Sequence, residues 1–283
     1  MSIPMSARID SHNHFWRYRA DEYGWIGEGM DTIRRDFLPS DLLVNLRAAG
    51  IDGTIAVQAR QTVEETEWLL HLSDTHDFIR GVVGWVPLTE PALEVVLERL
   101  CEHRQLKGVR HVIHDEPDDE FMLRPNFNKG IQQLQSFGLV YDVLIFERHL
   151  PQTIQFIDRH PGQIFVIDHI AKPRIGAKEL SPWREHIVEL AHRENVYCKI
   201  SGMVTEASWT EWKPDDLKPY FDIVLAAFGA KRLMFGSDWP VLLIVSSYTL
   251  WADLVRRFIS HLSSAEQDRI IGGTAIDVYN LVP

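Results

Sequence analysis

Residues 53–76, GTIAVQARQTVEETEWLLHLSDTH, place a strand pattern directly before a helix pattern. Residues 53–57 form a short apolar run with β-branched side chains, which is typical of a buried strand. Residues 63–76 carry apolar side chains at helical spacing among charged ones, which favours an amphipathic helix. This succession predicts a βα unit, in which a helix follows a strand of a parallel sheet.

The same alternation recurs along the whole chain of 283 residues. We predict strands at 8–14, 53–58, 80–86, 107–112, 139–145, 164–169, 196–201 and 232–238. We predict helices at 62–76, 90–104, 126–136, 149–159, 183–193, 217–228, 247–262 and 264–271. Eight βα units predict an α/β fold, the (β/α)₈ barrel of the TIM type, which usually takes about 250 residues. Since no linker divides the chain, we expect residues 1–283 to form a single domain.

The charge of the chain argues against a nucleic-acid partner. The formal net charge is −11, from 40 acidic and 29 basic residues. No cluster of lysine and arginine stands out that could form a basic patch for phosphates. We therefore expect a small-molecule substrate and no nucleic acid, and a homo-oligomer is left open.

The sequence also predicts a cytoplasmic protein without membrane association. Cys101 and Cys198 are far apart and make no disulfide framework, which favours a reducing compartment. Residues 1–8 lack the apolar stretch of a signal peptide. The longest late apolar run, 241–245, is far too short to span a bilayer.

Two histidines lie at the end of the first predicted strand, in Asp10-Ser-His12-Asn-His14. Residues two apart in a strand point to the same side, so His12 and His14 would both face the barrel axis. The active sites of such barrels lie at this carboxyl end. Two imidazoles there can hold a divalent metal or donate hydrogen bonds to one oxygen. Two unconnected surface histidines are the alternative.

Two later strands also end in polar side chains. The apolar run 165–167 leads into Asp168-His169, and the run 233–235 leads through Gly236, which allows a close backbone approach, to Asp238. His169 could instead be satisfied within its loop, and Asp238 could cap the next segment. Because carboxyl ends of parallel strands meet at one rim, we expect the histidines and Asp238 to form one constellation.

Five motifs carry a resemblance to a known family. They are Asp-Ser-His-x-His-Phe-Trp at 10–16, Gly-Val-Arg-His at 108–111, Asp-His-x-x-Lys-Pro at 168–173, Cys-Lys-x-Ser-Gly at 198–202 and Met-Phe-Gly-Ser-Asp-Trp-Pro-Val at 234–241. Together they resemble the amidohydrolase superfamily over nearly the whole chain. The closest similarity is to its sugar lactonase branch, which is related to the 2-pyrone-4,6-dicarboxylate lactonases.

The resemblance implies a catalytic centre made of His12, His14, His169 and Asp238. The same four residues would be the ligands of a metal. Members of the family with two metals have a bridging lysine on the fourth strand and histidines on both the fifth and the sixth. Here the fourth strand offers Arg110 and His111, and the fifth offers Tyr141 and Asp142. We therefore expect at most one divalent ion, Zn²⁺ by preference, and it could be dispensable.

Further residues near strand ends are predicted to bind substrate. They are Arg110, His111, Lys199, Trp85, Tyr141 and Trp239. Gln58 and Asp142 could line the same pocket, and Lys199 could instead be a buried salt-bridge partner. Among the tryptophans, Trp16, Trp25, Trp85 and Trp239 would suit stacking on a sugar ring, with ordinary core packing as the alternative. The long segment 17–39 could be a functional loop or a packed lid without a direct role.

The predicted reaction is hydrolysis of a sugar-derived lactone such as L-fuconolactone. Asp238 would take a proton from water as the water attacks the carbonyl, and the histidines would stabilise the oxyanion, directly or through a cation. No Gly-x-Ser-x-Gly motif suggests a covalent intermediate. The alternatives are a zinc-dependent decarboxylase, a lactonase for dicarboxylated pyrones, which would need several arginines at the rim, and a non-catalytic barrel.

Overall fold

The computed structural model describes residues 7–281, and eight parallel strands form their centre. The strands are β1 (Ile9–Asn13), β2 (Gly53–Val57), β3 (Ile79–Gly84), β4 (Leu106–Val112), β5 (Val140–Leu144), β6 (Phe165–Ile167), β7 (Val196–Ile200) and β8 (Leu233–Phe235). Each strand pairs with the next one along the chain, in the order β1 to β8. All eight predicted strands are therefore present, and the predicted fold class, a (β/α)₈ barrel, is confirmed.

The ring of strands closes just beyond the ends of β1 and β8. The backbone N–H of His14 donates to the carbonyl of Trp239 at 2.7 Å, and that of Asp238 donates to His12 at 2.8 Å. A parallel bridge pairs Asn13 with Trp239. The closure thus joins the two segments that carry His12, His14 and Asp238.

Ten α-helices accompany the strands in residues 7–281. They are α1 (Pro39–Ala49), α2 (Val63–Thr75), α3 (Leu93–Leu100), α4 (Pro125–Ser136), α5 (Leu150–Asp158), α6 (Trp183–Leu190), α7 (Pro214–Phe228), α8 (Tyr248–Ile259), α9 (Ser264–Asp268) and α10 (Thr274–Val278). The predicted helix 264–271 is divided, because the chain continues after α9 as a π-helical turn over Arg269–Gly273. Helices α1 and α10 are not among the predicted helices, and the bounds of the others differ from the predicted ones by a few residues at the ends.

Most strands are shorter than predicted by one or two residues, and the two largest shortenings, in β6 and β8, lie at the site. The predictions extended β6 to His169 and β8 to Asp238. At these residues the backbone instead turns left-handed, with φ of 54° at His169 and 60° at Asp238. Such a φ is uncommon for a residue with a Cβ, and the sequence carries no signal for it.

The C-terminal segment closes the amino end of the barrel. Ile55, Val83 and Val166 pack with one another and with residues of α10 and the chain beyond it. The Tyr279 hydroxyl donates to Asp142 Oδ1 at 2.7 Å, so its ring enters the barrel from this end. A ligand therefore has its access at the opposite, carboxyl end.

Two predictions extend beyond the described part of the chain. Residues 1–6 and 282–283 lie outside it, so the single domain over 1–283 and the missing signal peptide in 1–8 stay predictions. Within residues 7–281, no helix combines the length and the apolar composition that a membrane crossing requires.

Candidate active site

Four side chains from three parts of the barrel converge at its carboxyl mouth: His12, His14, His169 and Asp238, here called the mouth cluster. His12 Nε2 and His14 Nε2 are 3.2 Å apart. Asp238 Oδ1 lies 3.3 Å from His14 Nε2, 3.8 Å from His12 Nε2 and 3.9 Å from His169 Nε2. All four residues are buried. The structure thus brings together the four residues that the strand-end motifs singled out.

The hydrogen bonds of the first two histidines fix where their lone pairs point. His14 Nδ1 lies 2.9 Å from the carbonyl oxygen of Val57, which can only accept, so this nitrogen carries the proton. His12 Nδ1 lies 3.3 Å from both Asp168 Oδ1 and Lys199 Nζ, whereas Arg110 Nη1, which can only donate, lies 3.3 Å from His12 Nε2. Asp168 and Arg110 together favour the same tautomer as in His14. Both Nε2 atoms then carry lone pairs, and Arg110 reaches that of His12, whereas a cation between the two rings would satisfy both.

Burial keeps two of the imidazoles neutral. It lowers the pKa of His12 well below its ordinary value, against the opposing effect of Asp168. It also lowers the pKa of His169 well below its ordinary value, against the effect of Asp238. Neutral imidazoles are the form that binds metal ions.

Asp238 remains a carboxylate in this setting. Burial alone would raise its pKa, but His169, His14 and Lys172 outweigh burial and lower the pKa below its ordinary value. Its left-handed backbone conformation is of a kind that costs about 1–3 kcal/mol and persists where the surroundings impose it. Asp238 is thus an ionised proton acceptor that the fold holds in a strained position.

His169 is positioned by an unusual turn. Four consecutive residues, His169 to Lys172, have φ between 48° and 61°. His169 Nδ1 lies 2.8 Å from the Ser201 hydroxyl, and a Cβ on Gly202 would come within 2.6 Å of the same nitrogen. Gly202 therefore leaves the space into which the imidazole fits.

Asp10 connects the end of β1 with the residues just beyond β8 through hydrogen bonds to the backbone. Its Oδ1 accepts the backbone N–H groups of Ser237 at 2.8 Å and His12 at 3.1 Å, and its Oδ2 accepts the Tyr248 hydroxyl at 3.0 Å. Burial raises its pKa to about 6, although these hydrogen bonds act in the opposite direction. The sequence signal for this structural role of Asp10 is a carboxylate within an otherwise buried strand. The sequence-based prediction did not assign Asp10 any role.

Beneath the mouth cluster lies a second set of charged side chains, Arg110, Asp142, Asp168 and Lys199, here called the buried ion network. Asp168 accepts from Arg110 Nη1 at 3.0 Å and lies 3.1 Å from Lys199 Nζ. Lys199 also donates to Asp142. Burial raises the pKa of Asp168, but Lys199, His12 and Arg110 outweigh it and hold that pKa well below its ordinary value. Two cations thus balance two carboxylates.

The mouth cluster suits one divalent ion. Ligand atoms about 2.0–2.1 Å from a tetrahedral zinc lie about 3.3 Å from one another. The separations of 3.2, 3.3 and 3.8 Å among His12, His14 and Asp238 are close to this value. His12, Asp168 and His169 form a second group of suitable spacing. It fits less well, because the Asp168 carboxylate already pairs with two cations of the buried ion network.

A cavity of about 310 Å³ opens above these groups. The described residues that line it are His14, Trp25, Met30, Gln58, Ala59, Arg110, Val112, His114, Asp115, Leu144, Phe146, His169, Lys172, Asp238 and Val241. Trp25 and Met30 belong to the segment 17–39, so this loop contributes directly to the cavity. Among the described lining residues there is no serine, threonine or cysteine that could act as a nucleophile.

Arg110 is the one residue of the predicted substrate-binding set in this lining. Lys199 is fully buried in the ion network, and Trp239 packs edge-on against Phe15 and Phe37.

The other three also lie away from the cavity. Tyr141 is fully buried against Phe127 and Phe165. Trp85 and His111 are hydrogen-bonded to each other, because the Trp85 indole N–H donates to His111 Nδ1 at 3.2 Å. The substrate-binding role of these five residues stays a prediction, and the lining of the cavity does not support it.

Several wall residues were missed by sequence reasoning. His114 and Phe146 follow β4 and β5 by two residues each, and Lys172 lies in the turn after β6. The rings of His114 and Phe146 stack on each other, with their centroids 4.5 Å apart. The position of these wall residues, a few residues beyond strand ends, is the sequence signal that could have identified them.

Comparison with known proteins assigns a family. A family model described as amidohydrolase matches residues 9–281. An L-fucono-1,5-lactonase of Burkholderia multivorans is 45% identical over 97% of this chain and 96% of its own length. An L-fucono-1,5-lactonase of Burkholderia ambifaria is 35% identical over 98% of this chain and 97% of its own.

A solved structure is similar throughout. The crystal structure of an amidohydrolase from Burkholderia multivorans with bound zinc superposes with a TM-score of 0.93 at 44% identity. The match covers 98% of this chain and 100% of that one. The zinc in that relative agrees with the donor set of the mouth cluster.

Proposed function

The chain belongs to the amidohydrolase family, and on this premise we propose that it is a hydrolase that opens neutral sugar-derived lactones such as L-fucono-1,5-lactone. The observation that carries the proposal is the cluster of one ionised carboxylate with three imidazoles, in which Asp238, His14 and His169 line a single cavity and His12 lies behind them. Two relatives named as L-fucono-1,5-lactonases, each aligned over nearly the full length of both chains, supply the substrate class.

Asp238 is the proton acceptor in this proposal. Its carboxylate lines the cavity and takes a proton from the water that attacks the lactone carbonyl. The protonated side chain then returns the proton to the ring oxygen as the carbon–oxygen bond breaks. The product is a hydroxy acid, and the reaction needs no covalent intermediate with the enzyme.

His12, His14, His169 and Asp238 are the residues that would hold one divalent ion. A bound ion polarises a carbonyl and lowers the pKa of water at the site. The chain's own contribution is to orient the ring nitrogens: Val57 fixes His14, Asp168 fixes His12 and Ser201 contacts His169. Arg110 Nη1 lies 3.3 Å from His12 Nε2 and adds a fixed positive charge beside the cluster.

The cavity favours a neutral substrate over a dicarboxylate. Its two basic side chains are already paired: Arg110 with Asp168 and Gln58, and Lys172 with Glu206 at 2.8 Å. A dicarboxylate would need unpaired cations at the rim to compensate its charges. Much of the remaining wall is apolar, from Met30, Val112 and Leu144 among others.

A substrate screen tests the proposal. The purified chain is assayed with a pH indicator against L-fucono-1,5-lactone, a panel of other aldonolactones and 2-pyrone-4,6-dicarboxylate. We expect proton release with at least one neutral aldonolactone and much less with the dicarboxylate. Preference for the pyrone would overturn the substrate class. No turnover of any lactone, together with carbon dioxide release from a hydroxybenzoate, would favour the decarboxylase alternative.

The proposal includes action in the cytoplasm, without a nucleic-acid partner. The cysteines Cys101 and Cys198 are both free, which supports a reducing compartment. The net charge of −11 is unfavourable for binding phosphate backbones. A homo-oligomer is compatible with the same site, and analytical ultracentrifugation measures it directly.

A further inference from the structure

We infer that Trp25 is the platform on which the lactone ring packs in the cavity. The inference rests on the proposed function, since it concerns how that substrate is held. Trp25 would set the binding and orientation of the ring, and it would take no part in proton transfer. It lies in the loop between β1 and α1, outside the cluster that carries the chemistry.

Position distinguishes Trp25 from the other tryptophans that would suit a sugar ring. Trp16 and Trp239 are buried, and Trp85 is occupied by its hydrogen bond to His111. Trp25 lines the cavity and keeps 38% of its surface exposed. A large apolar side chain exposed beside a site of this kind is a candidate contact for a ligand.

The indole of Trp25 is held in place before any ligand arrives. Its Nε1–H donates to the carbonyl of Ala59 at 3.1 Å. Its ring meets that of Trp16 edge-on, with centroids 5.6 Å apart and an interplanar angle of 83°. Trp16 is fixed in turn by a 2.8 Å hydrogen bond to the carbonyl of Arg35. A preorganised aromatic surface loses little conformational entropy when a ligand binds.

A second aromatic ring, Phe146, also lines the cavity. Trp25 is bonded to Ala59 just beyond β2, and Phe146 lies just beyond β5, so the two rings come from separate parts of the rim. Phe146 is supported by the stacked ring of His114. The cavity of about 310 Å³ that both rings line has room for one sugar-sized ring beside Asp238 and His14.

The chemistry of a sugar lactone fits this arrangement. Its ring faces carry C–H bonds, which pack well on an aromatic face, and its hydroxyls lie along the edge. Contact with Trp25 through a ring face leaves the carbonyl free to point at the mouth cluster. The hydroxyl edge can then reach the polar side chains His114 and Asp115 of the rim.

The test compares kcat and KM for L-fucono-1,5-lactone in Trp25→Ala, Trp25→Phe and Trp209→Ala. Trp209 is the matched control, because it is 41% exposed and lies beside Gly29 of the same loop without lining the cavity. For Trp25→Ala we expect KM to rise about tenfold while kcat changes by less than about twofold. Trp25→Phe should recover most of the loss, and Trp209→Ala should stay within about twofold of the wild type.

A binding measurement separates this inference from the proposed function. Calorimetry with the 1,5-lactam of L-fuconic acid, which is not hydrolysed, should show about tenfold weaker binding to Trp25→Ala than to the wild type. If the wild type binds the lactam through Trp25 but opens no lactone, the proposed function fails and this inference stands. If the wild type opens the lactone and Trp25→Ala matches it, this inference alone fails. An equal loss in Trp209→Ala, or no lactam binding at all, also overturns it.

Discussion

The mouth cluster and the buried ion network are neighbouring sets of four buried titratable or charged side chains, yet they are built on opposite principles. The network contains two cations and two carboxylates, each within reach of an opposite charge. The mouth cluster has one carboxylate and three imidazoles, and the Nε2 lone pair of His14 faces two other acceptors, Asp238 Oδ1 and His12 Nε2. Burial and perturbed pKa values are common to both sets.

The difference between the sets lies in whether their charges and hydrogen bonds are complete. A complete set holds its shape and leaves nothing for a ligand to satisfy. An incomplete set gains when a cation, a water molecule or a substrate supplies what is missing. His12 connects the two, since Asp168 of the network holds its Nδ1 while its Nε2 faces the cluster. The comparison predicts that changes in the cluster reduce turnover, whereas changes in the network reduce stability.

The largest effect is expected for Asp238→Asn. Asparagine keeps the shape of the side chain but cannot take a proton at neutral pH. Loss of a general base typically lowers the rate about 10²- to 10⁴-fold, and we expect kcat to fall by that factor with little change in KM or Tm. The measurement is kcat, KM and Tm on the same preparation.

Asp253→Asn is the matched control for this change, because that carboxylate lies on the exposed side of α8. It should leave kcat and Tm near their wild-type values. A stable Asp238→Asn variant with near wild-type turnover would move the base elsewhere, with Asp142 and Asp168 as the next candidates.

The network is tested by Lys199→Met. The variant leaves Asp142 and Asp168 buried without their shared cation. Breaking a buried ion pair in this way costs about 3–5 kcal/mol, so the free energy of unfolding in urea should fall by that amount. Adding Asp142→Asn removes the charge imbalance and should restore part of the loss.

Lys218→Met provides the comparison at the surface. Lys218 pairs with Asp222 one turn away on α7, and exposed pairs of this kind contribute less than about 1 kcal/mol. A cost for Lys199→Met as small as that for Lys218→Met would show that the network does not stabilise the fold.

Gly202→Ala tests the geometry of the mouth cluster without altering any of its charges. The new Cβ would come within 2.6 Å of His169 Nδ1, so the imidazole must move. Misplacement of a catalytic group by about 1 Å can cost about 10²-fold in rate, and we expect kcat to fall by up to that factor. The readout is kcat on a variant whose Tm is measured alongside.

Gly138→Ala controls for the backbone. Gly138 has φ of 67°, close to the 62° of Gly202, and a Cβ there would meet nothing within 4 Å. Both variants place a Cβ on a backbone with a similar positive φ, so the difference between them reports mainly the contact with His169. Equal activity in the two variants would show that His169 tolerates displacement.

The sequence predicted the barrel well because its signal is local. Parallel strands are covered on both faces and therefore read as short apolar runs. The mouth cluster could be predicted from the same local signal, since its four residues lie within or directly after such runs: His12, His14, His169 and Asp238. Polar residues at strand ends then meet without any knowledge of the loops.

The walls and the network could not be predicted in this way. Lys199 meets Asp142 and Asp168 only because three strands bring them to one level of the barrel interior. Trp25 and Phe146 lie in loops, whose course has no periodicity to read. The left-handed turn from His169 to Lys172 contains no glycine, which is the usual sequence signal for such a backbone.

The smallest expected effect is that of zinc on stability, and it tests the incomplete character of the mouth cluster directly. An ion that binds the folded state at ten times its dissociation constant stabilises it by about 1.4 kcal/mol. For a chain of 283 residues, that corresponds to a rise in Tm of about 2–3 °C. We expect this rise in the wild type, with one zinc per chain by elemental analysis.

His14→Ala should abolish the rise, because it removes one of the three best-spaced ligands, whereas His103→Ala, a change at an exposed histidine, should leave it intact. Two ions per chain, or an undiminished rise in His14→Ala, would contradict the assignment of the ion to this cluster. Turnover that survives chelation would mean that the imidazoles and Arg110 stabilise the oxyanion by themselves, in which case the missing partner of the cluster is the substrate.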